Sequence, residues 1–387
     1  MGAKLCVGLW GTALAVAACS SGAGLAPDAG VSGDVGASGD ASLDRGSAGD
    51  SGTPAASDGG DEPAGAERPA TDDGPGAPDG TGPPGDAADA SGDVEAAAPA
   101  PRTIGALYCP PAGTTWAPNP LPPQAQPTLV PITPPGGIMF LEGPVWLADR
   151  GVLLLSEWNG LHRILRVTPP ATVDLFLADS GTNGLAVAPD GQALLIVTEA
   201  PKTTLSRLDL DDRSVQALAS SFAGQPFVQP NDLVVRADGT IFFTDYEAGR
   251  LYRRAPDGQL ELIASLPRAN GVGLSPDETT LYLNADTRTV KYPLAPDGTV
   301  GAGSDLAGGL RGADGLAIDC AGNVFIAQNK GGSLVVMSPA GQKLGEIAGL
   351  PLVVTNAAFG GPDRQTLYIT TSSALYSVHL ANPGLPY

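Results

Sequence analysis

Ala313-Asp314-Gly315-Leu316-Ala317-Ile318-Asp319, then Cys320-Ala321-Gly322-Asn323, then Val324-Phe325-Ile326-Ala327 is the stretch that decides the fold. It gives a polar residue, a short apolar strand, a tight turn and a second apolar strand. The opening phrase recurs. Glu142-Gly143-Pro144-Val145-Trp146, Asn183-Gly184-Leu185-Ala186-Val187, Asn231-Asp232-Leu233-Val234-Val235 and Asn270-Gly271-Val272-Gly273-Leu274 precede it, and Asn356-Ala357-Ala358-Phe359 follows. From Glu142 onward the spacings are 41, 48, 39, 44 and 42 residues. Self-similarity at a period of roughly 40–50 residues marks propellers and solenoids.

Between these phrases lie further strand-like runs, such as Thr240–Thr244, Arg250–Arg253 and Leu260–Ile263, broken by Gly, Pro and Asp. Four strands per unit and six units predict an all-β chain, a six-bladed β-propeller. The first strand of each blade then lines a central channel. Glu142, Asn183, Asn231, Asn270, Asp314 and Asn356 should therefore meet at one mouth. The last unit supplies only three strands, over Asn356–Gly360, Thr366–Thr371 and Ala374–Leu380. The fourth is expected from Thr128 to Thr133, an N-terminal strand that closes the ring and removes its free edges.

Ahead of the repeats the composition changes twice. Residues 1–18 carry Lys4 and then the apolar run Leu5–Ala18, the layout of an export signal and too short for a mature span. Val16-Ala17-Ala18-Cys19 resembles a bacterial lipobox, with Cys19 as the lipidated residue; plain secretion with an incidental Cys19 is the alternative. With Ser20 and no Asp after Cys19, the expected location is the outer membrane or cell surface, otherwise the periplasm or the exterior. Residues 19–101 form an acidic Gly/Ala/Pro/Asp-rich stretch. From Ser20 to Pro101 there are sixteen acids against Arg45 and Arg68, so this segment holds −14 of the chain's −20. It has no Phe, Trp, Tyr, Ile or Met, and is read as a disordered stalk.

The propeller is assigned to residues 102–387. Nothing basic or aromatic points to nucleic acid, and membrane contact is expected only through the lipid anchor. A propeller buries its core within one chain, so a monomer is expected. With Cys6 and Cys19 in the signal, Cys109 and Cys320 remain. In an exported protein two such cysteines are expected to pair.

The mouth limits the chemistry. Within residues 102–387 the sequence has no Gly-x-Ser-x-Gly, no Gly-x-Gly-x-x-Gly and no P-loop. The two histidines, His162 and His379, are placed in blade strands and not at the start of a channel strand, which argues against a Ser-His-Asp triad and a His-bound zinc. The six mouth residues offer oxygen ligands only, two of them anionic. That set suits a hard divalent cation, calcium first, with zinc, magnesium and manganese also possible. Alternatively, Asn-Gly and Asp-Gly are ordinary turn residues before strands, which accounts less well for Glu142 in the same place.

In order and spacing, Glu142-Gly-Pro-Val-Trp, Gln229-Pro-Asn231-Asp-Leu-Val-Val, Ile241-Phe-Phe-Thr-Asp245, Ala269-Asn270-Gly-Val-Gly-Leu-Ser-Pro-Asp277 and Ala313-Asp314-Gly-Leu-Ala-Ile-Asp resemble the SMP-30/gluconolactonase family. The tail Thr355-Asn356-Ala-Ala-Phe-Gly-Gly is similar to its bacterial gluconolactonase branch. The resemblance covers roughly Gly136 to Leu380. It implies a divalent ion held by Glu142, Asn231, Asn270 and Asp314, and hydrolysis of a sugar lactone. Asp314 would be general base, with Asn183, Asn231 and Gln229 around the substrate and the amides of Asn183 and Asn231 donating to hydroxyls or to the oxyanion. Two positions depart from the pattern: Gln229 stands where some members have arginine, and Glu199-Ala200 where the branch often has Glu-His. Another hydrolase on this frame, for other lactones or phosphoesters, and a non-catalytic ligand-binding propeller are the alternatives.

Overall fold

This computed structural model describes residues 103–111 and 113–387. The export signal, the acidic stalk and Cys19 lie outside the described residues. Six four-stranded antiparallel sheets follow one another along the chain. Blade one is Leu141–Leu147, Val152–Glu157, Arg163–Thr168 and Thr172–Leu177; blade two is Thr182–Val187, Ala193–Thr198, Thr204–Asp209 and Val215–Ala219. Blade three is Pro230–Val235, Ile241–Asp245, Arg250–Arg254 and Leu260–Ser265; blade four is Ala269–Leu274, Thr280–Ala285, Arg288–Pro293 and Ser304–Gly308. Blade five is Ala313–Ile318, Val324–Gln328, Ser333–Met337 and Lys343–Ile347. Blade six takes Val354–Gly360, Thr366–Thr371 and Leu375–His379 from the C-terminal end. Thr128–Val130 completes it, pairing Thr128 with Ser377 and Val130 with Leu375. The inner strand of blade six packs beside that of blade one, so the ring closes and the fold is a six-bladed β-propeller.

Both faces of each inner strand are covered, which is why these strands read as nearly continuous apolar runs. In blade two, Leu185 and Val187 face blade one, packing with Val145, Leu154 and Ile164. Ala186, between them, faces blade three and packs with Leu233 and Phe243. Further around, Val272 and Leu283 join Leu316 and Ile326, and Phe325 meets Phe359 edge-on at 5.4 Å. Each Leu or Ile so buried contributes roughly 1.5–3 kcal/mol.

Two features lie outside the repeated blades. A small hairpin, Ser221–Phe222 with Gln225–Pro226, sits between blades two and three and accounts for the longest spacing of the repeat, 48 residues. A single helical turn, Ile104–Tyr108, precedes the propeller, with the Thr103 hydroxyl accepting from Ala106 N–H at 3.2 Å. This turn is held by Glu278, which accepts from Ile104 N–H at 2.9 Å while paired with Arg236 at 3.1 Å. A disulfide joins Cys109 to Cys320, with the Cα atoms 5.6 Å apart. The C-terminal residues add bonds to the far ends of three inner strands. Leu385 N–H donates to Ile318 O, Phe359 N–H to Leu385 O and Trp146 N–H to Pro386 O. The helix and the C-terminal segment thus cover the end opposite the mouth. The placement of His162 is corrected: it lies exposed in the turn before Arg163–Thr168, with φ 46°, whereas His379 does end a strand.

Candidate active site

Every inner strand slips register near its mouth end. The shifts fall between Glu142 and Val145, Thr182 and Leu185, Pro230 and Leu233, Ala269 and Val272, Ala313 and Leu316, and Val354 and Asn356. A bulge bends its strand and re-aims side chains out of the regular alternation. Each mouth residue lies inside or at the edge of such a bulge, so one local device repeated six times gathers them. Close approach of neighbouring strands completes it. A methyl group on Gly143 would run into the Asn183 carbonyl oxygen, and one on Gly315 into the Asn356 side chain.

All six mouth side chains are buried. Glu142 and Asp314 lie close enough to raise the energy of ionising the pair. Burial first, then the charges of Asp314 and Asp232, push the Glu142 carboxyl well above its ordinary range. Burial lifts Asp314 to about 7, against the opposing pull of hydrogen bonds from the Asn329 and Asn270 amides. Asn329 Nδ2 is 3.2 Å from Asp314 Oδ2. The backbone at Asp314 is braced from behind: Asn284 Nδ2 donates to its carbonyl at 2.6 Å, and Thr289 Oγ1 donates to Asn284 Oδ1 at 2.6 Å. Among the described residues no Lys or Arg forms an ion pair with either acid.

Two acids forced together in a dry place, without a basic partner and with the Asn270 amide on Asp314, suit a divalent cation. Among the described residues no three His, Cys, Asp or Glu side chains form a metal-binding cluster, so a cation here would draw on amide oxygens as well.

The other two mouth amides are committed to protein partners. Asn183 Nδ2 donates to Glu199 Oε1 at 2.8 Å. Asn356 donates across the channel to Asp232 of blade three, whose carboxylate also accepts from Leu233 and Val272 N–H. Burial lifts Asp232 to about 7 despite these bonds. Gln229 Nε2 donates to Glu199 Oε2 at 3.0 Å. Glu199 is itself raised by burial, against the pull of those two amides.

Asp232, Asn329 and Tyr246 are not among the residues singled out from the sequence, and Glu199 is named there only beside the departing Ala200. Tyr246, half-buried, is raised first by burial and also by the charge of Asp314. Glu199, Asn329 and Tyr246 come from the turns after second strands. In an antiparallel blade the second strand returns to the mouth, so a row of polar residues at its end is a usable signal. Asp232 was visible in Asn231-Asp232 but is indistinguishable there from a turn residue.

Residues 140–373 match the model of the SMP-30/Gluconolactonase/LRE-like region. The chain belongs to this family. Relatives within it include a gluconolactonase of Zymomonas mobilis, 32% identical over 291 residues that span 64% of this chain and 80% of the relative. A pentonolactonase of Haloferax volcanii is 28% identical over 245 residues, 60% of this chain and 81% of its own. Among solved structures, a gluconolactonase of Xanthomonas campestris aligns with a TM-score of 0.60 at 26% identity, covering 70% of this chain and 99% of that one. The family match spans all six mouth residues.

Proposed function

We propose that the protein hydrolyses a sugar lactone of the gluconolactone type, with a divalent cation held by Glu142, Asn231, Asn270 and Asp314. The observation that carries this is the buried pair Glu142 and Asp314, raised by burial and lacking a basic partner among the described residues. The lactonase relatives, aligned over about four-fifths of their length, supply the substrate class. The all-oxygen donor set favours calcium, with zinc, magnesium and manganese as other candidates. When bound, the cation supplies Lewis acidity at the lactone carbonyl and neutralises the charge between the two acids.

Asp314 is the general base. Its oxygen takes a proton from the water that attacks the carbonyl carbon. As the ring C–O bond breaks, that proton passes to the departing ring oxygen, leaving a hydroxy acid. Asn231, on the inner strand of blade three, offers an amide N–H to the developing oxyanion. Asn183 and Gln229 orient the sugar.

The test is proton release from gluconolactone and pentonolactones by chelator-stripped protein, with and without calcium, magnesium, manganese or zinc. Cation-dependent hydrolysis is expected. No hydrolysis of any lactone under any cation rejects the proposal. Attachment to the cell envelope through Cys19 is part of the same proposal, and Cys19→Ala should release the protein from membranes.

A further inference from the structure

We infer that Glu199 is a positioning residue: it turns the Asn183 and Gln229 amides so that their carbonyl oxygens face the substrate, which selects a neutral polyhydroxy lactone over one bearing an anionic group on that side. This rests on the lactone-hydrolase proposal above.

Glu199 follows the second strand of blade two and is buried at the mouth. Its two oxygens are shared between two blades. Oε1 accepts from Asn183 Nδ2 at 2.8 Å, and Oε2 accepts from Gln229 Nε2 at 3.0 Å. An ionised carboxylate only accepts, so it meets the nitrogen end of each amide. A planar amide held by its nitrogen has its oxygen fixed as well. Bonds to a charged acceptor are the stronger kind, and two of them hold the pair. The backbone beneath is also fixed: Gln229 N–H donates to Asp245 Oδ1 at 2.8 Å and Val228 N–H to Asp245 Oδ2 at 2.9 Å. Side-chain rotation is the freedom left to Gln229, and Glu199 removes it.

Neither amide oxygen accepts a hydrogen bond from a described residue, so both are left for a ligand. With the Glu199 charge behind them, they make a wall of negative potential. Hydroxyl groups, which can donate, suit that wall. A carboxylate, phosphate or sulfonate is repelled by it.

The test uses the full chain with its cation supplied, and gluconolactones in which single hydroxyls are replaced by fluorine, which removes the donor. At the hydroxyl facing these amides the replacement should raise KM about 10-fold, about 1.4 kcal/mol, with kcat within a few-fold. In Glu199→Gln, KM for the parent lactone should rise by a similar factor and the fluorine penalty should collapse. Cation affinity by calorimetry should not change. Wild-type KM in Glu199→Gln, no fluorine penalty at any position, or equal use of 6-phosphogluconolactone overturns the inference. If no lactone is hydrolysed, the proposed function falls, and NMR of the side-chain amides still decides the clamp. The Asn183 and Gln229 amide protons should exchange slowly in the wild type and faster in Glu199→Gln; identical exchange overturns it.

Discussion

In metal-free protein at pH 8, Asp314→Asn should raise stability, the opposite of what removing a buried, hydrogen-bonded side chain usually does. Asp314 is lifted from 3.8 to about 7, mostly by burial. A tenfold change in proton affinity is worth about 1.36 kcal/mol, so keeping this carboxylate ionised above pH 7 costs on the order of 4 kcal/mol. Asparagine has nearly the same shape, cannot ionise, and its oxygen can still accept from Asn329. Some of the gain is lost because its NH₂ replaces an acceptor facing the Asn270 amide, a mismatch of about 1–3 kcal/mol. A net gain of roughly 1–3 kcal/mol remains, or several degrees in Tm for a domain of this size.

The pH dependence has a definite sign. A raised folded-state pKa means that the folded protein holds the proton more tightly than the unfolded chain. The wild type therefore has no penalty from Asp314 below about pH 4, loses stability as pH rises towards 7, and carries the full penalty above it. The variant should be the less stable of the two near pH 4, by the amide mismatch alone, and become the more stable by pH 8. Thermal melts in chelator at pH 4.5, 6 and 8 read this directly. A variant less stable than wild type at pH 8, or a difference that does not change with pH, refutes the reasoning.

At saturating cation, Asp314→Asn should lower turnover at least about 10²-fold, the lower range for a general base, while Asn183→Ala should act mainly on KM; near-normal turnover in Asp314→Asn removes it as base. Glu142→Gln should weaken cation binding and shrink the rise in Tm on adding the ion, which linkage puts at about 2.7 kcal/mol for ligand 100-fold above Kd; an undiminished rise counts against Glu142 as a ligand. Cys109→Ser with Cys320→Ser opens a crosslink spanning 211 residues, and chemical denaturation should show a loss of about 2–5 kcal/mol. Gly143→Ala should both destabilise the fold and disturb the mouth, since its methyl meets the backbone carbonyl of Asn183; a fully stable, active variant would contradict the packing described there.

The architecture was legible because the repeat is dictated by physics that operates locally. Each inner strand is covered on both faces, so it must be apolar throughout, and each begins at a polar mouth residue. Those two requirements recur at Glu142, Asn183, Asn231, Asn270, Asp314 and Asn356. The closing strand was legible for a similar reason, since a three-stranded last blade would leave a free edge. What the mouth residues do with one another was harder to read. Asn183 and Asn356 look equivalent to Asn231 and Asn270 in the sequence, yet one amide is held by Glu199 and the other by Asp232 across the channel. The first partner is set by the return of a second strand to the mouth, marked only by a polar residue at its end, and the second by the juxtaposition of blades three and six, which leaves no mark in local spacing.

The most direct test of the central claim measures bound cation and lactone hydrolysis on the same sample. Chelator-stripped protein is titrated with calcium, and with the other three cations in parallel, while occupancy and initial rate are read together. Turnover should rise in proportion to occupancy of a single site, reach its plateau at one equivalent, and vanish in the Glu142→Gln/Asp314→Asn double variant. Full turnover with no bound cation, or turnover unaffected by the double variant, would contradict the account.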